Sequence, residues 1–126
     1  MKQKLMFGLL LLLLAGCTSQ PSIVDNGHPG QINVIVFYDD NKNGVMDNGE
    51  SGAPQQVAIT QEVTCTPANP NFIKTDTSGV IVFKSLQPGR YCIFIDNGYG
   101  MTTKMSQDVY LSSDQIAVTM FGVVRP

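Results

Sequence analysis

The sequence predicts an all-β protein, a seven-stranded Greek-key β-sandwich preceded by a signal peptide and a flexible tether. Three observations carry this reading. Seven of the nine leucines lie between Leu5 and Leu14, and beyond Cys17 only Leu86 and Leu111 remain against twenty-one Ile and Val. β-Branched side chains fit a pleated surface and crowd a helix, so a helical core is disfavoured. Short apolar runs then alternate with Asn, Asp, Gly and Pro clusters along the rest of the chain, the spacing of a sandwich and not of an α/β fold.

Residues 1–16 read as a secretory signal: Lys2 and Lys4 form the positive start, and Leu5 to Ala15 is apolar but too short for a comfortable membrane span. Leu14-Ala15-Gly16-Cys17 resembles the lipobox of bacterial lipoproteins, in which the cysteine thiol receives lipid before cleavage. Cleavage before Cys17 would leave 110 of the 126 residues, enough for one domain. The resemblance implies a palmitate-class lipid anchor on Cys17 that holds the protein on a membrane, since each buried methylene contributes roughly 0.8 kcal/mol. Thr18 in place of Asp after the cysteine resembles an outer-membrane signal in a diderm cell. With Lys2 and Lys4 gone, six basic residues face ten acidic ones, a charge of −4 and no basic face for nucleic acid. Residues 17–30 are rich in Ser, Gln, Pro, Asp, Asn and Gly and read as a tether, with His28 as a solvated member of it.

The domain, residues 31–126, then unfolds strand by strand. Gln31 to Tyr38 is a strongly β-prone run. Val57 to Val63 alternates apolar Val57, Ile59 and Val63 against Thr60 and Glu62, the pattern of a half-buried strand, before Pro67 and Pro70 break the chain. Phe72 to Thr75 is a short strand, Asp76-Thr77-Ser78-Gly79 a turn, and Val80 to Phe83 the next run. Gln87-Pro88-Gly89 turns the chain into Tyr91 to Ile95, and Asp108 to Leu111 and Ile116 to Val124 complete the set. Phe83, Tyr91, Phe94 and Phe121 lie in these runs and are expected in the core.

The strongest chemical signal is Asp39-Asp40-Asn41-Lys42-Asn43-Gly44-Val45-Met46-Asp47-Asn48-Gly49-Glu50, which matches the loop template D-x-[DN]-x-[DN]-G-x₅-E at every specified position. Oxygen donors from Asp39, Asn41 and Asn43 can converge on one cation. Gly44 permits the sharp turn, Val45 offers its carbonyl, Asp47 ligates directly or through water, and Glu50 closes the shell. Oxygen ligands without clustered His or Cys select a hard cation, and the number of protein ligands favours calcium over magnesium. An affinity in the range of about 10⁻⁴ to 10⁻³ M is expected, as in extracellular modules. The alternative is a solvated turn without an ion, since Asp, Asn and Gly are ordinary loop residues.

The strand end Val36-Phe37-Tyr38-Asp39, this loop, Gly52-Ala53-Pro54 and the strand from Val57 together resemble the calcium-binding B-type repeats of serine-aspartate-repeat adhesins (SdrD B-like). A second block, Thr77-x-Gly79-x-x-x-Phe83-x-x-Leu86-x-Pro88-Gly89-x-Tyr91, is similar to those repeats and to related Cna-type B and prealbumin-like sandwiches. The resemblance implies calcium stiffening one end of the sandwich and a role as stalk, spacer or attachment module. Some relatives carry an intramolecular Lys–Asn isopeptide bond. None is expected here, because the first strand has no Lys and the last no Asn.

Two cysteines remain beyond Cys17. Cys65 and Cys92 are expected to form a disulfide in an oxidising compartment, the alternative being two separate buried thiols. Tyr99, Met101 and Met105 surround glycines in a polar stretch and form a possible partner loop, or else a hairpin folded back on the sheet. No Ser/His/Asp set, His-rich zinc site or phosphate loop is present, so no enzyme is expected. The sequence therefore points to a noncatalytic, lipid-anchored module of the cell envelope for architecture, adhesion or protein recruitment. The alternative is a carbohydrate- or peptide-binding module, and the partner, envelope protein or glycan, is not named by any motif.

Overall fold

The computed structural model describes residues 22–23, 25–96 and 100–126. Seven strands follow in order: β1 (Gly30–Tyr38), β2 (Gln56–Thr60), β3 (Ile73–Lys74), β4 (Val80–Leu86), β5 (Gly89–Ile95), β6 (Ser106–Leu111) and β7 (Ile116–Val123). They form two sheets, β4-β1-β7 and β3-β2-β5-β6. The chain crosses between sheets after β1, β3, β4 and β6, the crossing connections of a Greek-key sandwich.

β1 has neighbours on both edges, antiparallel β4 and parallel β7, with Gln31 to Tyr38 matched residue for residue to Ile116 to Val123. A parallel pair cannot be closed by a hairpin, so the first and last strands of the domain are joined only through the five strands between them. Ile32, Val34 and Val36 alternate into the interior against Val57 of β2, Ile93 and Ile95 of β5, Leu111 of β6 and Phe121 of β7. At the opposite end Asn26 N–H donates to Ser113 Oγ at 2.8 Å, and His28 Nδ1 lies 3.1 Å from Asp114 Oδ2. Asn26 and His28 thus rest on the β6–β7 turn, with His28 itself exposed.

Several expectations need correction. The second strand ends at Thr60, not Val63, because Glu62 N–H donates to Thr60 Oγ1 (3.1 Å) and Cys65 N–H to the Glu62 carbonyl (3.2 Å), which turns the chain away. Val63 is 86% exposed. Phe94 is not in the interior, since it alternates with Ile93 and Ile95 and faces outward, where Phe72 meets it edge-on with ring centroids 5.6 Å apart. β4 runs on to Leu86 through a bulge opposite Gln31, with Ser85 at positive φ, and β6 starts early at Ser106.

The segment 61–72 lies against the outer side of the second sheet at β5, while the outward residues of β6 stay exposed. Cys92 shares Phe94's outward side yet is 1% exposed, and Cys65 bonds to it as a disulfide with Cα atoms 5.6 Å apart. Arg90 adds to this, donating to the Glu62 and Val63 carbonyls at 3.3 Å each and pairing with Asp108 of β6. The covalent bond and the guanidinium together fasten a strandless segment onto a sheet that would otherwise expose Ala58 and Cys92.

Candidate metal centre

The loop Asp39–Glu50 leaves β1 where the strand's hydrogen bonding ends. Asp39 N–H still donates to the Val123 carbonyl of β7 (3.0 Å), and Tyr38 N–H to the Ser51 carbonyl (2.9 Å), so both limbs of the loop are tied at its neck. The exit limb then lies along β1, with Phe37 bridged to Gly52 and Ala53 N–H donating to the Val36 carbonyl at 2.8 Å. Gly52 and Gly79 are required by contact here. A Cβ on Gly52 would overlap the Ser78 carbonyl, and one on Gly79 the Val36 carbonyl. The two family-like glycines are thus where the loop's exit presses against the 76–79 turn, itself closed by Asp76 accepting from Ser78 and Val80 N–H.

Asp39 sits at the root and is 1% exposed. Its Oδ1 accepts from Asn43 N–H (3.1 Å) and its Oδ2 from Gly44 N–H (2.7 Å). Burial by itself would raise the pKa of this carboxyl. The Thr102 hydroxyl and the N–H groups of Gly44, Asn43 and Lys42 outweigh it and hold the pKa below the ordinary value. Gly44 has φ +77°, and a Cβ there would meet only ordinary contacts at 3.8 Å and beyond, so conformation and not crowding asks for glycine.

Asn41, Asn43 and Asp47 point into one space. The amide Nδ2 atoms of Asn41 and Asn43 each lie 2.7 Å from Asp47 Oδ2, while their Oδ1 atoms accept from Asn43 N–H (3.0 Å) and Val45 N–H (2.8 Å). Glu50 closes the loop from the far side, Oε1 accepting from Asp40 N–H and Oε2 from Asp47 N–H, both at 2.9 Å. Val45 turns its side chain to solvent, 59% exposed, consistent with a role for its carbonyl only. The structure therefore brings Asn41, Asn43 and Asp47 into one clasp, with Asp39 beneath and Glu50 across the neck. Among the described residues no three His, Cys, Asp or Glu side chains gather at metal-ligating distance. The donor set still fits a hard cation. Three carboxylates and two amide oxygens are oxygen donors, and each Asp and Glu oxygen that accepts one N–H keeps a further lone pair. The buried Thr102 hydroxyl stands beside the same carboxylate and adds a further oxygen at the root of the loop.

Two residues at this site escape any reading of the loop alone. Thr102 reaches it from the segment before β6, held by Thr102 N–H donating to Gly122 O (2.9 Å). Arg125 reaches it from beyond β7. Its Nε and one terminal nitrogen meet the two carboxylate oxygens of Asp40 at 3.0 Å each, the same terminal nitrogen lies 3.4 Å from Ser51 Oγ, and the guanidinium stacks 4.4 Å from the centre of the Tyr38 ring. Arg125 lowers the pKa of the Asp40 carboxyl, chiefly through this hydrogen bonding, and its own is raised in return. No spacing rule links an Arg near the end of the chain to a loop 85 residues earlier.

Of the other sequence-derived positions, Cys17, the signal segment 1–16 and Tyr99 lie outside the described residues. Met101 turns inward, bridged to Val123 and packed against the core, whereas Met105 is exposed. Cys65 and Cys92 are joined.

Comparison with known proteins agrees with this architecture. The model of the SdrD B-like domain family matches residues 30–124. Colossin-B of Dictyostelium discoideum is 40% identical over 68 residues, 49% of this chain and 2% of that protein. Among solved structures, BcpA, the major pilin subunit of Bacillus cereus, superposes with a TM-score of 0.51 at 14% identity, over 79% of this chain and 31% of that one. The full-length major pilin SpaD of Corynebacterium diphtheriae has a TM-score of 0.50 at 11% identity, over 82% and 34%. A DUF3823 family protein from Parabacteroides merdae has a TM-score of 0.50 at 16% identity, over 79% and 47%. The chain thus spans less than half of each of these relatives, and the structural likenesses speak for the sandwich fold. With the family model covering all seven strands and the loop between β1 and β2, this chain belongs to the SdrD B-like domain family.

Proposed function

We propose that this protein is a noncatalytic module of the cell envelope, a β-sandwich stiffened at one end by calcium and tethered to a membrane through lipid on Cys17. The observation that carries the reading is the loop Asp39–Glu50, whose oxygen donors are ordered by internal hydrogen bonds at the neck of β1 in a chain of this family. Asp39, Asn41, Asn43, Asp47, Glu50 and the Val45 carbonyl would hold the ion. Calcium, when bound, supplies the positive charge that offsets repulsion among the three carboxylates. Asp39 anchors the loop to the buried end of β1, and Glu50 draws its exit toward its entry, so a rigid loop transmits stiffness to both β1 and β2. Such an end-stiffened sandwich suits a spacer or attachment unit that presents or joins other envelope components. The pilin subunits that share the fold support the same reading without naming a partner.

The test is the melting temperature of the purified full-length protein with and without millimolar calcium. Calcium raises it, and Asp39→Ala or Glu50→Ala abolishes the increment. An increment unchanged in both variants refutes the site. Lipid anchoring is checked separately, because Cys17→Ser moves the protein from the membrane to the soluble fraction, and persistent membrane association refutes the anchor.

A further inference from the structure

We propose that Arg125 is a positioning residue of the cation loop. It clamps the entry limb at Asp40 to the exit limb at Ser51, so that Glu50 is held across the neck, and it links occupancy of the loop to order in the segment that follows β7. The inference rests on the calcium reading above and goes beyond it, since no part of the loop template contains this residue.

The geometry supplies three links. Arg125 meets both oxygens of Asp40, a fork-to-fork pairing that fixes direction as well as distance. The Asp40 N–H in turn holds Glu50 Oε1 at 2.9 Å, so Arg125 acts on the closing carboxylate through the residue it grips. The same guanidinium reaches Ser51 Oγ and lies over Tyr38, which itself donates to the Ser51 carbonyl. One side chain from beyond β7 therefore touches the last residue of β1, the second residue of the loop and the first residue after it. Val124, next to Arg125, is fixed by its N–H on the Gly100 carbonyl at 2.7 Å. If a closed neck favours the ion, binding of the ion must equally favour the closed neck and the clamped segment, because coupling between two equilibria is reciprocal.

The charge of Arg125 makes the idea testable by sign. An arginine that is merely near a dication repels it, so its removal tightens binding. An arginine that positions the loop loosens binding when removed, despite the lost repulsion. Calcium titration calorimetry on the full-length protein compares the wild type with Arg125→Gln, Asp40→Asn, the double variant and Glu50→Gln, and amide hydrogen exchange follows Val124 and Arg125. We expect roughly two- to fivefold weaker calcium binding in Arg125→Gln, the scale of an exposed, well-aligned ion pair. No further loss is expected in the double variant, and calcium slows exchange at Val124 and Arg125 in the wild type but not in Arg125→Gln. Equal or tighter binding in Arg125→Gln, additive losses in the double variant, or exchange indifferent to calcium in the wild type overturns the clamp. A wild type that binds calcium, with Glu50→Gln weakened and Arg125→Gln unchanged, overturns the clamp alone. A wild type that takes up no calcium overturns the metal reading and this inference with it.

Discussion

Replacing both Cys65 and Cys92 by alanine tests how the segment 61–72 is held. The bridge spans a sequence separation of 27 and joins a segment without strands to the outward side of β5. Its main action is therefore on the unfolded chain, whose freedom it restricts, and not on the interior between the sheets. Loop-closure entropy for a ring of this size amounts to about 12 cal/mol/K, or about 3.5 kcal/mol at 25 °C. With an unfolding entropy of about 0.2 kcal/mol/K for a domain near 100 residues, the double variant should melt about 17 °C lower. Urea denaturation of the oxidised wild type and the double variant supplies the free energy, and the slope of that dependence supplies a second reading. An unbridged denatured chain is more expanded, so the slope should rise as stability falls. Exchange protection of β1 and β7 should survive in the native variant, because neither strand touches the bridge. A loss below about 1 kcal/mol with unchanged slope would refute the entropic account. Collapse of protection throughout β1 and β7 would show instead that the covered outer face is part of the cooperative core.

Two further outcomes follow from the loop's surroundings. Gly79→Ala should cost at least about 2 kcal/mol in urea melts, since its φ of +73° disfavours a side chain and a Cβ would overlap the Val36 carbonyl. Gly27→Ala, with φ +81° but open space around it, should cost only about 1 kcal/mol; equal losses would refute the contact argument. The carboxyls of Asp39 and Asp40 both titrate below the ordinary 3.8 in the folded protein. Their contribution to stability is fully present above that value and is lost as the pH falls through the lowered folded values. Stability measured without calcium should therefore decline below about pH 4, and Asp39→Asn should flatten the decline, as acid titration of the unfolding free energy would reveal.

What the amino-acid order by itself determined here is local. The β-branched runs, the turn residues between them and the twelve contiguous loop residues carry their message within a few positions, because strand alternation, turn geometry and ligand spacing are short-range properties. The class of fold and the loop were legible for that reason, and so was the cysteine pair, the two thiols beyond Cys17. Packing decided the rest. Val63 fits the alternation of a strand but lies beyond a turn set by Thr60 and Glu62, and Phe94 fits a core pattern but faces a segment that covers the opposite side of its sheet. The parallel pairing of β1 with β7 brings the last strand back to the first, and only that closure puts Arg125 on Asp40 and Thr102 beside Asp39. Contacts between residues so far apart depend on the path of the whole chain, which no local period encodes, so the neck of the loop belongs to the tertiary structure while its pattern of oxygen-bearing side chains belongs to the sequence.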